Sequence, residues 1–465
     1  MPKLPLPPKN TRLGFHYYPD TEHFRESDLQ TWLPELESLG ATWLTLEAPL
    51  DRAIPEPFLN ALIVAGIEPI LHFRLPFSHS LWIQDLKLLF KAYARWGLHY
   101  VVLFDRPNCR ETWPADAWVQ SDLVERFLDL FIPAAQAALH SGLIPVFPPL
   151  QPGGDYWDTA FLRAALHGYR RRTHGRRTSQ LALSAYARSG ERPLDWGLGG
   201  PECWPGAQAY STPPDQQDHR GFRIFDWYSA ISEAVLAESV PILLFGAGSY
   251  PQAGQGHKDD SLTESNHTDR NLRLVQAIYP TGGTEGMHAF PDSPADNPGP
   301  LPPQVLCCNF WLLTASPRSP HVHQAWFKPD GRTLAIVGTL RQWLAGLADR
   351  PQDDPEVTPS ASQQPSSSPA QAASASRPIQ HYLLLPVFEW GIADWYLDAI
   401  RPFVKKHFPT IGFSLEEAAH AARVTVVGSQ YLIPDSKLDE LRAAGCVVER
   451  IDGDGMNIAT RLAAY

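Results

Sequence analysis

Eight short apolar runs, separated by amphipathic stretches, constrain this chain more than any other feature. They fall at residues 14–18, 43–46, 67–73, 100–104, 143–147, 181–186, 241–245 and 305–313. Between most of them lie helical patterns, as at 28–36, 57–66 and 124–139. The first two predicted helices end in Gly40 and Gly66, and a third in Gly97, where a helix C-terminus favours glycine. Strands that alternate with helices are covered on both faces, and eight of them predict a (β/α)8 TIM barrel. An open doubly wound sheet is the alternative with the same alternation. At 465 residues the chain accommodates one large barrel and one small domain.

The rhythm is interrupted twice. Residues 188–223, rich in Gly, Pro and Asp, follow the sixth run, and residues 254–303 follow the seventh. In a barrel both insertions fall on the C-terminal face, where ligand loops sit. After the eighth run, residues 326–338 read as a hairpin around Asp330-Gly331, with a helix over 340–347. The Pro-, Ser- and Ala-rich stretch 350–378 reads as a disordered linker. Residues 379–465 then read as a small α/β, Rossmann-like domain. Its predicted strands lie at 381–388, 423–428 and 446–451, and its helices at 390–407, 435–445 and 457–464. The expected domains are therefore a barrel at 12–349, the linker, and the tail domain.

Composition narrows the function classes. Hydrophobic residues at 44% and charged residues at 19% exclude disorder of the whole chain. A net charge of −11 argues against a nucleic-acid partner or an anionic membrane surface. Forty-five prolines exclude long helical arrays. No apolar run reaches the ~18 residues a membrane span needs. The N-terminus lacks the apolar core of a secretory leader, which makes the cytoplasm the default expectation. The five cysteines (109, 203, 307, 308, 446) are scattered without CxxC spacing and read as reduced thiols.

In a barrel the chemistry sits at strand C-termini. Those ends carry His16 and Tyr18, Glu47, His72 and Arg74, Asp105, Arg106 and Asn108, then Tyr186, the 246–250 segment ending in Tyr250, and Trp311. Trp113 follows the fourth. Such a mouth suits a sugar: rings meet its apolar faces, and carboxylates, amides and guanidinium groups meet its hydroxyls.

Several segments resemble the clan of retaining glycoside hydrolases built on TIM barrels. Gly14-Phe-His-Tyr-Tyr-Pro resembles the opening strand, and residues 28–46 resemble its helix and second strand. Val102-Leu-Phe-Asp-Arg-Pro-Asn with Trp113 resembles the fourth-strand Asn-Glu-Pro-Asn motif and its Trp. Pro241-Ile-Leu-Leu-Phe-Gly-Ala-Gly resembles the seventh strand, and Asn309-Phe310-Trp311 the eighth, whose Trp floors the sugar site. The resemblance covers roughly residues 12–340 and implies a carbohydrate partner without a cofactor. It places Arg106 where the clan has its acid/base Glu, and Gly246 where it has its nucleophile. Arginine stays protonated and glycine has no side chain, so the resemblance implies an inactive barrel that kept its cleft.

Other readings stay open at this point. Glu47, Asp105 and Glu111 could supply displaced carboxylates for hydrolysis. His16, Glu47, His72 and Asp105 could hold a divalent metal, against the plainer reading of hydrogen-bonded rim residues. The Gly246–Ser249 turn could cradle a phosphate. The basic run 170–177 reads as a solvated helix end, and His321-Val-His323 lies past the barrel. A pure scaffold would have its mouth plugged by 188–223 or 254–303. In the tail, segments over 423–463 resemble a type-2 cell-wall-binding repeat, which implies a cell-surface location or a protein partner bound through this domain.

Overall fold

The computed structural model describes residues 4–78, 83–175, 180–250, 260–279, 297–348, 379–385, 400–401, 403–404, 406–407, 409–427, 433, 435–451 and 461–462. The chain divides into two compact units, residues 1–354 and 355–465.

In the first unit, β1 (Leu13–His16), β2 (Trp43–Glu47), β3 (Glu68–Phe73), β4 (Tyr100–Leu103), β5 (Ile144–Phe147), β6 (Ala182–Arg188), β7 (Ile242–Gly248) and β8 (Val305–Phe310) form a closed parallel barrel. Closure runs through the pairing of β1 with β8, Gly14 opposite Asn309. That pairing excludes the open sheet. Besides two four-residue helices, Ala115–Trp118 and Gly200–Cys203, the helices are α1 (Glu26–Ser38), α2 (Glu56–Val64), α3 (Ile83–Arg95), α4 (Leu123–Ser141), α5 (Asp158–Arg172), α6 (Ile224–Leu236), α7 (Asp260–Ile278) and α8 (Ala335–Ala348). Gly40, Gly66 and Gly97 take positive φ just past α1, α2 and α3, as the helix-end reading requires.

Two apolar layers hold the barrel. Inside it, Trp43, Ile70, Tyr100, Val102, Val146, Leu243 and Phe245 pack together. Between strands and helices, residues such as Leu36, Leu62, Phe90, Phe131 and Phe161 build the larger core. Each fully buried side chain of this size contributes about 1.5–3 kcal/mol. The N-terminal segment touches the interior layer: Tyr100 donates to the Pro5 carbonyl at 2.7 Å, and Trp43 to the Asn10 side chain at 2.8 Å.

The hairpin expected around Asp330-Gly331 forms in short form, with Phe327 bridging Thr333 antiparallel and the Lys328 and Leu334 N–H groups donating to the Arg332 and Trp326 carbonyls, but its bound is corrected: α8 already begins at Ala335. The spacing of Ile336, Val337 and Leu340, all buried, fits a helix face better than a strand. The strands β6 and β7 also run further than the apolar runs suggest, to Arg188 and Gly248.

The second unit is a small α/β fold with a four-stranded parallel sheet in the order β10-β9-β11-β12: β9 (Ile379–Leu384), β10 (Thr410–Gly412), β11 (Ala421–Val427) and β12 (Val447–Ile451). Tyr382, Leu384, Val424 and Val426 pack on one face and Leu383, Leu385, Val427 and Ile451 on the other, as a parallel sheet covered on both sides requires. The helices α9 (Leu415–Ala418) and α10 (Asp435–Ala443), with helical residues at 400–401, 403–404, 406–407 and 461–462, complete what is described. Strand β10 is a correction to the three strands expected; its three residues are too short to show a period. The linker, most of the helix at 390–407, residues 452–460 and most of the last helix lie outside the described residues. No described helix is long and apolar enough to cross a membrane.

Candidate functional site

The β4 end sets the geometry. Phe104 and Arg106 both take left-handed backbone angles, φ 69° and 45°, a conformation that strains residues with side chains. Between them Asp105 is turned inward and is 7% exposed. Its Oδ1 accepts from the Tyr186 hydroxyl at 2.7 Å, and its Oδ2 from Arg106 Nε at 3.1 Å. Burial pushes the Asp105 carboxyl up, but His72, Arg74, Arg106 and the Tyr186 hydrogen bond outweigh it and hold it below its ordinary range. The Tyr186 phenol is held far above its usual value by burial and then by the Asp105 charge, so it stays a donor.

The neighbouring strands supply a second charged pair and two histidines. Arg74 donates to Glu47 Oε1 at 2.6 Å, and the His72 Nδ1 lies 3.9 Å from the same oxygen. His72 Nε2–H donates to the Phe104 carbonyl at 2.9 Å. On β1, the His16 Nε2 accepts from the Gly246 N–H at 2.9 Å. Burial, then the charges of His72, Arg74 and Arg188, hold His16 well below its usual value, so it is a neutral acceptor.

Above this layer opens a cavity of about 260 Å³. Of the residues read from the sequence, Arg74, Asp105, Arg106, Tyr186, Gly246, Tyr250 and Trp311 line it. His16, Glu47 and His72 are buried beside them, engaged in the contacts above. Three expected residues are placed elsewhere. Asn108 is fully buried and its amide ties the Gln151 and Tyr156 backbone. Tyr18 stacks on His23, with ring centres 3.6 Å apart. Trp113 stacks on Phe77 at 4.5 Å and donates to the Pro107 carbonyl. It borders a neighbouring groove of about 600 Å³ that shares Arg106 with the central cavity and holds Glu111, whose carboxylate accepts from Arg106 at 2.7 Å.

Three lining residues escape the sequence reading: Arg188, His321 and Gln324. Arg188 is two residues beyond Tyr186 on β6, so strand alternation puts both on one face, but the apolar run that marks the strand in the sequence stops at Tyr186. His321 lies past the barrel strands in sequence, yet its ring packs edge-on against Trp311 at 5.2 Å. Both it and the Trp311 indole donate to Gln324 Oε1, at 3.0 and 2.8 Å. No periodicity marks that return of the chain.

Two other expectations change. Gly246–Gly248 belong to β7 itself, and the N–H groups of Gly246 and Ser249 are taken by His16 and Asn271, which removes the phosphate cradle. Among the described residues no group of three or more His, Cys, Asp or Glu is placed to hold a metal ion. The basic run ends α5 and pairs in part with α4, Arg171 and Arg172 reaching Glu125. The 188–223 insertion walls the mouth rather than filling it: Arg188, Arg192 and Arg220 border an adjoining groove of about 560 Å³.

No protein-family model matches the sequence, and no curated protein matches it. Solved structures similar to the chain include a β-glucuronidase from Ruminococcus gnavus, with 12% identity and a TM-score of 0.37 over 71% of this chain and 48% of that one. An endo-β-1,3-glucanase of family GH128 from Sorangium cellulosum has 13% identity and a TM-score of 0.41, over 73% of this chain and all of that one. A β-glucuronidase from an uncultured Clostridium has 12% identity and a TM-score of 0.38, over 72% and 50%. The chain thus spans about half the length of the two glucuronidases.

Proposed function

We propose that the barrel mouth is a carbohydrate-binding cleft that does not cleave its ligand by the retaining route. The observation that carries this reading is that Arg106 and Gly246 line the same cavity as Tyr186, Tyr250 and Trp311. Retaining hydrolysis requires two carboxyl groups ~5–5.5 Å apart, one of them protonated when the bond breaks. Arg106 cannot donate a proton at neutral pH, and Gly246 offers no nucleophile. The three carboxylates considered as displaced catalysts are committed to arginines: Glu47 to Arg74, Asp105 and Glu111 to Arg106. Asp105, held below its ordinary range, is ionised and unsuited to act as the acid. The aromatic rings and hydrogen-bonding groups that would hold a sugar remain.

The test is reducing-end release by the purified full-length chain across plant, fungal and bacterial polysaccharides, run beside a glycan-binding screen. Binding without release is the expected result. Sustained turnover that Asp105→Asn or Glu47→Gln abolishes would overturn the reading in favour of displaced carboxylates. Absence of any glycan binding would leave a scaffold.

A further inference from the structure

The arginines of the mouth are not equivalent. Arg74 is neutralised by Glu47 at 2.6 Å, and Arg106 is shared between Asp105 and Glu111 at 3.1 and 2.7 Å. For Arg188 no carboxylate oxygen lies within 4.0 Å among the described residues. Its contacts are the neutral Gln151 Oε1 at 3.3 Å and the face of the Tyr186 ring at 4.6 Å. A ring below and an amide beside it fix the plane of the guanidinium without cancelling its charge.

Its position is equally telling. The register of β6 on β7 shifts between Tyr186 and Arg188, with the extra residue on the β7 side at Gly246–Gly248, so β6 keeps its alternation and Arg188 stays on the same face as Tyr186. Arg188 borders both the central cavity and the adjoining 560 Å³ groove, where Arg192 and Arg220 share one buried carboxylate, Asp218, at 2.5 Å each. Glu191 is the acidic residue lining that groove. Positive charge thus gathers on this face of a chain whose net charge is −11, so it is local placement rather than overall composition.

We propose that the mouth selects an anionic saccharide, and that Arg188 receives the carboxylate or sulfate group of the sugar seated between Tyr186 and Trp311. The inference rests on the carbohydrate reading above and adds the class of ligand to it. A planar guanidinium presents two parallel N–H groups that match a carboxylate, whereas a neutral hydroxyl uses one donor and leaves the charge uncompensated.

Maltotetraose, cellotetraose and laminaritetraose, each beside its C6-oxidised uronate and its 6-O-sulfated form, are titrated calorimetrically into the full-length chain. At least one anionic member is expected to bind roughly ten- to hundred-fold tighter than its neutral parent, the usual effect of a charge-assisted hydrogen bond. That advantage should vanish in Arg188→Gln and shrink in 0.5 M salt. Arg188→Lys, which keeps the charge but not the planar fork, should retain part of it, and it answers the same question if the glutamine chain does not fold. Whether the uronate or the sulfate gains more identifies the source of the charge. Neutral parents binding as tightly as their anionic forms would overturn the inference and leave the carbohydrate reading intact, as would an anionic advantage that survives Arg188→Gln. No binding by any of the nine sugars would remove both.

Discussion

The two sides of the barrel mouth use the same residue types to opposite ends. On the β2–β4 side, Arg74, Arg106, Glu47, Asp105 and Glu111 answer one another at 2.6–3.1 Å, so the charges satisfy themselves. On the β6–β8 side, rings dominate and Arg188 is the cation with no acidic partner among the described residues. Paired charges fix the shape of the mouth, because removing one member leaves the other uncompensated. An unpaired cation held by a ring and an amide leaves its charge to whatever enters. The difference separates residues whose charges are spent on building the cavity from one whose charge is left open, a division residue type alone could not give.

Asp105→Ala should have the largest effect. It leaves the buried Tyr186 hydroxyl without its acceptor, which costs about 1–3 kcal/mol, and in addition takes one of the two carboxylates from the half-buried Arg106, which keeps only Glu111. Urea unfolding measures it directly; Asp105→Asn, which keeps an acceptor for Tyr186, should lose clearly less. A loss close to zero in Asp105→Asn, which is neutral, would break the claim that this side holds itself together by charge. Next comes Gly246→Ala on the opposite side. Gly246 sits at φ +50° and an added Cβ would lie 3.1 Å from Tyr186 Cδ1, so the change should cost about 1–3 kcal/mol. For the same reason the double variant Arg106→Glu, Gly246→Glu should release no reducing ends. Turnover by that chain would show that the β7 end tolerates a nucleophile.

The barrel was legible because its signal is repeated: eight apolar runs and glycines at helix ends each restate one architecture. The mouth was legible where a residue closes an apolar run, as Glu47, Asp105 and Gly246 do. It was illegible where backbone decides. Nothing in the sequence shows that Phe104 and Arg106 take left-handed angles, or that β6 continues to Arg188 through a register shift. Asn108 is expected at the mouth because Asp105 and Arg106, its motif neighbours, line the cavity, yet the fold spends its amide on two backbone segments. His321 reaches the cavity through a turn that follows β8 and carries no period. Long-range returns of this kind depend on packing between distant segments rather than on local pattern.

The layer beneath the mouth joins the two sides through His16, and pH tests that joint. Burial and the neighbouring positive groups depress His16, so the folded chain resists a proton that the unfolded chain accepts near pH 6.5. Its contribution is complete above about pH 6.5 and is lost as pH falls toward the lower folded value. His267, on α7, is pushed down to about 4 by burial and then Lys328, and acts in the same direction. Each histidine should take about 1.4 kcal/mol per pH unit from unfolding stability in this window. His16→Gln, whose amide oxygen can still accept from the Gly246 N–H, should make the decline from pH 6.5 to 5 visibly shallower. An unchanged slope in urea unfolding at those pH values would show that the joint does not feel the cations around it.

Glu111→Gln gives the smallest effect on stability and the sharpest comparison. Its side chain is 66% exposed, so its ion pair with Arg106 should contribute less than about 1 kcal/mol to stability. The substitution nonetheless removes one of the two carboxylates that neutralise Arg106, and makes the β4 side more like the β6 side. Affinity for an anionic tetrasaccharide should then rise by roughly two- to fivefold, an exposed-pair effect, while a neutral tetrasaccharide should bind unchanged. A gain for both sugars would mean that Glu111 merely obstructs the groove, and the distinction between a paired and an unpaired side of the mouth would lose its meaning for binding.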